Sequence, residues 1–138
     1  MGDEDNQANW HWTQGIRFAL EGVKLLFVLN GAASISILTF IGNVRMGSGL
    51  LVGSLVAFAL GAASTIPAML LAYLTQLHYG NASVGSTTDL NYWEDAGKYH
   101  SRAYLFMGLG LACFLAGVCL AAFGLWQVPN TIPCPVRL

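Results

Sequence analysis

Few side chains in this sequence have the type and spacing to do chemistry together, and the clearest group surrounds Glu21. Arg17 lies four residues before Glu21 and Lys24 lies three residues after it, so a helix places all three on one face. One interpretation is a self-neutralised cluster at the edge of an apolar segment. The other is that Glu21 meets Arg102 or His100 of a later helix, which couples the two helices and lets the carboxyl titrate.

Asn30 is the strongly hydrogen-bonding side chain in the middle of the first apolar run. Because an amide in hydrocarbon is costly unless it is paired, we expect Asn30 to face another helix. It then either forms an interhelical hydrogen bond that fixes the register, or it lines a pore or contacts a ligand. In the pore interpretation, Ser34 and Thr39 continue a polar stripe along the same helix.

The histidines and cysteines do not form a convincing metal site. His78 and His100 flank one loop, but two imidazoles without a nearby cysteine or carboxylate are a poor ligand set for a metal or a haem. Cys113 and Cys119 are six residues apart and lie on different faces of one helix. We therefore expect no metal and no cofactor. The sequence also has no phosphate loop, nucleophile elbow or HExxH motif, so we expect no enzymatic activity.

The elements that position these residues follow from an unusual composition. Of the 138 residues, 55% are apolar and 9% are charged, whereas an average globular domain has about 25% charged residues. The charges are also clumped, since residues 25–44, 46–88 and 103–136 carry none. With a net charge of −1, this pattern excludes a disordered chain, a nucleic-acid binder with a basic patch and almost any water-soluble enzyme. It indicates an integral membrane protein surrounded by a lipid bilayer.

Each uncharged stretch can supply one transmembrane helix, which needs about 20 apolar residues to cross a core about 30 Å thick. We predict an all-α fold, in which residues 1–138 form a single three-span membrane domain. A fourth span is disfavoured, because dividing the second run at Pro67 leaves two halves too short to cross. Amphipathic and capping patterns extend all three helices beyond the bilayer on the N-terminal side. The predicted helices cover residues 9–42, 48–79 and 89–126, to within a few residues.

The orientation is predicted from the lysines and arginines in the short flanks. Four of the six lie on the side of the N-terminus, namely Arg17, Lys24, Lys98 and Arg102. This bias places the N-terminus inside and the C-terminus outside. The chain opens with acidic rather than basic residues, which argues against a signal peptide, so we expect the first helix to act as its own insertion signal.

The side of the N-terminus also carries most of the charges, all three histidines and many aromatic residues. One interpretation is an aromatic belt with extended lysine and arginine side chains at the membrane interface. The other is a three-helix docking surface that receives a partner or forms the mouth of a pore. The second interpretation fails if Trp10, Trp93 and Tyr99 face lipid and contact no other helix.

Small residues at regular spacing predict how the helices pack, because transmembrane helices associate where their backbones approach closely. The second helix has a row at a spacing of four: Gly49, Gly53, Ala57 and Gly61. The third helix has a row at a spacing of seven: Ala103, Gly110, Gly117 and Gly124. It also has a second row: Gly108, Ala112 and Ala116. Two rows on one helix suggest two neighbours, one of them from another subunit, so we expect a homo-oligomer.

Two segments of the chain resemble uncharacterised small three-helix bacterial inner-membrane proteins. They are FALEGVKLLFVLNGAASISILTFIGN at 18–43 and AYLTQLHYG at 72–80, together about a quarter of the chain. The resemblance implies a bacterial inner-membrane location; in such a membrane the orientation predicted from the lysines and arginines gives a cytoplasmic N-terminus and a periplasmic C-terminus. It also implies that Glu21, Asn30 and Gln76 belong to one patterned feature. It carries no activity with it.

The sequence therefore leads to two main hypotheses about function. The first is a small oligomeric membrane protein that forms a channel or pore. The alternative is a non-catalytic accessory or anchor subunit that docks a protein partner on the charged inner face. A holin-like, membrane-permeabilising protein is a third interpretation, suggested only by size and number of spans. The candidate polar positions are Glu21, Lys24, Asn30, Ser34, Gln76, His78, His100 and Arg102.

Overall fold

The structure, a computed structural model, describes residues 3–44, 48–83 and 92–127. These residues form three α-helices and no strand: α1 (Asp3–Val44), α2 (Gly49–Ser83) and α3 (Tyr92–Gln127). All three helices are long and apolar enough to cross a membrane. The predicted all-α fold with three membrane-length helices is therefore confirmed.

The helices extend further than their sequence patterns indicated. α1 is already helical at Asp3, six residues before the predicted start, and acidic residues in a first turn are favoured by the helix dipole. α2 continues to Ser83, four residues beyond its predicted end. The predicted first residues of the third helix, 89–91, lie outside the described residues.

Ser48 caps the N-terminus of α2. Its side-chain Oγ accepts a hydrogen bond from the backbone N–H of Leu51 at 3.2 Å. Its backbone oxygen also accepts bonds from the N–H groups of Leu51 and Val52, at 3.0 and 3.2 Å. These contacts satisfy amides that the first turn of a helix leaves without an intrahelical partner.

Pro67 lies inside α2 without ending the helix. A proline has no N–H, so Pro67 cannot donate to Ala63 O four residues earlier. The neighbouring hydroxyls bond to other carbonyls: Ser64 Oγ donates to Gly61 O and Thr65 Oγ1 donates to Ala62 O, both at 2.7 Å. α2 runs through Pro67 as one helix, as the length argument predicted.

α2 is the central helix of the bundle. It packs extensively against α3 and less extensively against α1, whereas α1 and α3 contact each other at few points. The α2–α3 pair is antiparallel, because Leu51 lies near Gly124 at one end of the pair and Ser64 lies near Gly110 further along. The bundle is thus up-down-up, with α1 and α3 held mainly through α2.

A seven-residue repeat defines the packing of α3 on α2. The buried small residues of α3 recur at this spacing: Ala96, Ala103, Gly110, Gly117 and Gly124. Most buried residues of α2 alternate three and four apart: Leu51, Ser54, Phe58, Gly61, Thr65 and Ala68, while Ser64 and Thr75 are buried as well. Such a repeat is typical of helices that cross at a small left-handed angle. At Gly110, Gly117 and Gly124 a larger residue of α2 fills the space that a side chain would take.

The two predicted rows of small residues differ in their contacts. The row through Gly110, Gly117 and Gly124 faces α2, and a Cβ at any of them would meet an atom of α2 within 3.0 Å. In the row on α2, Gly61 is buried and Gly53 lies in ordinary contact with Leu120. Nothing among the described residues lies within 4 Å of a Cβ placed at Gly49. A spacing of four drifts around the helix, so this row does not stay on one face.

We predict that Gly117→Val weakens the bundle and that Gly108→Val does not. A Cβ at Gly117 would lie 2.6–2.9 Å from three ring atoms of Phe58, whereas a Cβ at Gly108 meets no described atom within 4 Å. Overpacking of this kind costs about 1–3 kcal/mol. The measurement is equilibrium unfolding in mixed micelles of a mild detergent and dodecyl sulfate, with no more than one chain per micelle, so that contacts between copies do not contribute.

The two glycines make a matched pair, because they are nine residues apart and so lie on opposite faces of α3. The change in helix propensity is the same at both. Equal losses of stability in the two variants would contradict the packing described here.

Candidate functional site

Asn30 lies at the point where all three helices meet. Its side chain is 0% exposed. The amide Nδ2 donates to Leu26 O of α1 at 3.0 Å and to Gly110 O of α3 at 3.4 Å. Both amide protons are therefore directed at carbonyl groups, one on its own helix and one on a neighbour.

The other side of the Asn30 amide is pressed against α2. A Cβ built on Gly61 would overlap Oδ1 of Asn30 and lie 2.7 Å from its Cγ. Since only hydrogen occupies that position, the Cα–H of Gly61 points at the amide oxygen, in the arrangement of a weak C–H···O contact. Gly110 is held close as well, with Ser64 Oγ 2.8 Å from the position of its missing Cβ. We call Asn30, Gly61, Ser64 and Gly110 the three-helix junction.

The rest of the predicted polar stripe on α1 bonds to its own helix. Ser34 Oγ donates to Asn30 O at 2.9 Å and Thr39 Oγ1 donates to Ile35 O at 2.8 Å. Thr39 is exposed on the outside of α1, whereas Ser34 is half-buried. The stripe thus turns from the interior of the bundle at Asn30 to its surface at Thr39.

The charged side chains pair within helices. Lys24 Nζ lies 2.8 Å from Glu21 Oε1, and Lys98 Nζ lies 3.0 Å from Glu94 and 3.4 Å from Asp95. Among the described residues these are the ion pairs present, and all of them join residues three or four apart. Glu21 therefore has its partner on α1, in line with the self-neutralised cluster.

Two further charged side chains at this level, Arg17 on α1 and Arg102 on α3, are exposed. We use "charged end" for the end of the bundle where α1 begins, α2 ends and α3 begins, since Arg17, Glu21, Lys24, Lys98 and Arg102 all lie towards it.

The two candidate histidines have different neighbours. The ring of His78 on α2 packs against Tyr99 on α3, with centroids 5.0 Å apart. The ring of His100 lies edge-on to Tyr104 one turn further along α3, at 4.7 Å. Within the part of the chain that the structure describes, no three His, Cys, Asp or Glu residues are grouped so that they could hold a metal ion.

The aromatic residues of the charged end are divided between surface and interface. Trp10 is 58% exposed, and the side chain of Trp93 lies outside the described part. Tyr99 is half-buried and contacts His78 across the α2–α3 interface. The condition that would have excluded a docking surface, with all three residues facing lipid, is therefore not met.

A partly open cavity of about 760 Å³ lies between the three helices towards the charged end. Its deepest lining residues are Val23 on α1, Met69 on α2 and Met107 on α3. At the level of these residues the bundle closes, since Val23 and the neighbouring Ala68 are almost fully buried. The volume and the mostly apolar lining are those of a small-molecule site, for which about 300–1,000 Å³ is typical. We call this space the interhelical cavity.

The interhelical cavity lies towards the charged end of the three candidate spans. Val23, Met69 and Met107 each lie about 20 residues from the uncharged end of their own helix, and about 20 residues of helix cover a core of about 30 Å. Charged side chains lie on the outer faces of α1 and α3 beside the cavity. A core that starts at the uncharged helix ends therefore reaches the level of these three residues and leaves the cavity beyond it.

At the opposite, shallow end of the cavity the lining becomes polar. The lining residues furthest from the membrane core are Gly15 on α1, Gln76 on α2 and His100 on α3. Two of the predicted candidates, Gln76 and His100, therefore come together on the wall of one cavity. The other candidates lie in the junction, on the outer faces of the helices or against Tyr99.

Sequence reasoning did not find the apolar residues of this cavity. Met69, Ala72 and Met107 are of types common in any transmembrane helix, and nothing in their local pattern marks them. The useful signal was indirect, because all three helices were predicted to exceed the bilayer on the same side. That excess length creates the space in which the cavity forms.

Comparison with known proteins adds no assignment to this geometry. No family model, no curated protein and no solved structure matches the chain. The site is therefore interpreted from its own residues.

We predict that Gly61→Ala destabilises the bundle and that Asn30→Ala suppresses this effect. The new methyl at Gly61 collides with the Asn30 amide, and removal of the amide vacates that space. Residues in contact couple by about 0.5–3 kcal/mol in such cycles. The four proteins of the double-mutant cycle are compared by unfolding in mixed micelles.

Gly53→Ala serves as the control for α2. A Cβ there meets Leu120 at an ordinary 3.7 Å, so we expect no loss of stability and no coupling to Asn30. Additive effects of Gly61→Ala and Asn30→Ala would contradict the junction.

Proposed function

We propose that the protein is a small, non-catalytic integral membrane subunit whose interhelical cavity binds a compact apolar ligand. The observation that carries this proposal is the mainly apolar lining of a cavity at the charged end of the bundle, about 20 residues from the uncharged helix ends. Apolar surface that lipid tails do not cover is unfavourable in water by about 25 cal/mol per Å². A bound apolar molecule removes that cost.

The proposal includes the location and orientation. The bias of Lys and Arg towards the charged end favours a cytoplasmic N-terminus, and the resemblance of segments 18–43 and 72–80 favours a bacterial inner membrane. The interhelical cavity then opens on the cytoplasmic side, where a cytoplasmic or leaflet-derived ligand reaches it.

We predict that Ala72→Phe weakens saturable binding of a fluorescent apolar probe, aminoanthracene, to the protein in phosphatidylcholine nanodiscs. Ala72 lines the cavity, and a phenyl ring there occupies the space. We expect the apparent Kd to weaken by about tenfold or more, equivalent to about 1.4 kcal/mol. Ala19→Phe, on the α1 wall, is expected to act in the same way.

Ala63→Phe is the matched control, because Ala63 is exposed and lies nine residues from Ala72, on the opposite face of α2. It should leave binding unchanged. The proposal fails if the wild-type protein adds no saturable signal to that of empty nanodiscs, or if the Ala63 variant loses binding as much as the Ala72 variant.

A pore formed between several copies is the second candidate. It is supported by the exposed Thr39 hydroxyl on the outside of α1 and by the exposed row Gly108, Ala112 and Ala116 on α3, which offers a surface for close contact with another copy. In this arrangement Asn30 stays in the three-helix junction inside each chain and cannot line the pore. The polar lining of the pore is therefore supplied by Thr39.

We predict that the solubilised protein is a homo-oligomer and that Gly108→Leu shifts it towards monomer. Gly31→Leu is the control, since both glycines have no described atom within 4 Å of a Cβ but only Gly108 belongs to the row on α3. Light scattering in a mild detergent measures the mass. Monomeric wild-type protein would remove the basis for a pore, as would planar-bilayer recordings without current across voltage and pH.

A further inference from the structure

The interhelical cavity has a polar end and an apolar end. Its shallow end is formed by Gly15, Gln76 and His100, and its deep end by Val23, Met69 and Met107. The two ends are seven or eight residues apart on each helix, which corresponds to about 12 Å along the bundle. A ligand that fills the space therefore meets different chemistry at its two ends.

Gln76 and His100 supply hydrogen-bonding capacity at the shallow end. A glutamine amide both donates and accepts, and a neutral imidazole has one donor and one acceptor nitrogen. Gln76 is half-buried and His100 is exposed, so the two groups lie where a ligand leaves the apolar space. Thr75 also lines the cavity, but its hydroxyl donates to Leu71 O at 2.8 Å. Tyr73 and Tyr104 line it too, and both side chains are more than half exposed.

None of the side chains that line the cavity carries a permanent charge. The neighbouring Arg17 and Arg102 are exposed and do not belong to the lining. A charged ligand group placed among these walls would lose hydration without gaining an ionic partner, which is strongly unfavourable. An uncharged hydroxyl, carbonyl or amide loses less and finds partners in Gln76 and His100.

We infer that the ligand is an uncharged, single-headed amphiphile with an apolar body about 12 Å long, held with its polar group between Gln76 and His100. This inference rests on the proposed function and names the ligand class of the same cavity. The apolar body lies against the aliphatic and methionine side chains of the deep end. A two-chain phospholipid does not fit this description, because its head is charged and its chains extend into the core.

The experiment is competition against aminoanthracene in phosphatidylcholine nanodiscs, with n-octanol and n-octane as competitors. The two have the same apolar chain, and only octanol carries a hydroxyl. The measured quantity is the ratio of their half-inhibitory amounts. Comparison of variants in identical nanodiscs removes the difference in how the two molecules partition into the bilayer.

For the wild-type protein we expect octanol to compete at a lower amount than octane. Gln76→Leu and His100→Leu should each reduce this preference, and the double variant should reduce it by about fivefold, the value of one hydrogen bond of ordinary strength. Gln127→Leu makes the same substitution at the exposed, uncharged end of α3. It should leave the ratio at the wild-type value.

The inference is overturned if the ratio is the same in the wild-type protein and the double variant while both still bind aminoanthracene. In that case the cavity binds apolar molecules without recognising a polar group, and the proposed function stands. Absence of saturable aminoanthracene binding to the wild-type protein overturns the inference and the proposed function together. Circular dichroism and the elution volume of each nanodisc preparation identify any variant that has lost its fold, and His100→Leu then tests the inference independently of Gln76→Leu.

Discussion

The structure depends on the buried amide of Asn30. A primary amide in hydrocarbon must place two protons and one oxygen, and Asn30 directs its protons at Leu26 O and Gly110 O while its oxygen abuts Gly61. These contacts set the axial position of α1 against both other helices. Since α1 and α3 otherwise meet at few points, the junction fixes the position of α1 relative to α3, while packing on α2 holds α1 in the bundle.

The strength of the α2–α3 pair and the weakness of the α1–α3 contact together explain the cavity. The seven-residue repeat of alanine and glycine on α3 brings it close to α2 along its whole apolar length, where dispersion contacts stabilise the pair. α1 lacks such a repeat towards α3 and is fastened at the junction. Above the junction the space between α1 and α3 is filled in part by Met107, whose Cε lies 3.9 Å from the Cβ position of Gly22.

Much of this fold was predictable because its causes are local. Long uncharged runs determine the number of helices, and the cost of an unpaired amide is sufficient to predict that Asn30 faces another helix. The packing of α2 was less accessible, because the row through Gly49 and Gly53 is conspicuous in sequence while the buried face follows a seven-residue repeat. The cavity was not predictable, since Ala72 and Met107 acquire their role only from the relative register of three helices.

Each ion pair of the described residues at the charged end joins two residues of the same helix. Glu21 binds Lys24, and Lys98 binds Glu94 and Asp95, so the ion pairs of the described residues stabilise single helices and tie no two helices together. Exposed pairs of this type contribute little, about 0–1 kcal/mol, but they hydrate the outer faces. Towards the charged end the outer faces therefore carry these charges beside exposed apolar side chains such as Phe18 and Tyr73, and the helices are incompletely packed inside. A molecule in the interhelical cavity would complete that packing, so ligand binding and the association of α1 with α3 are energetically coupled.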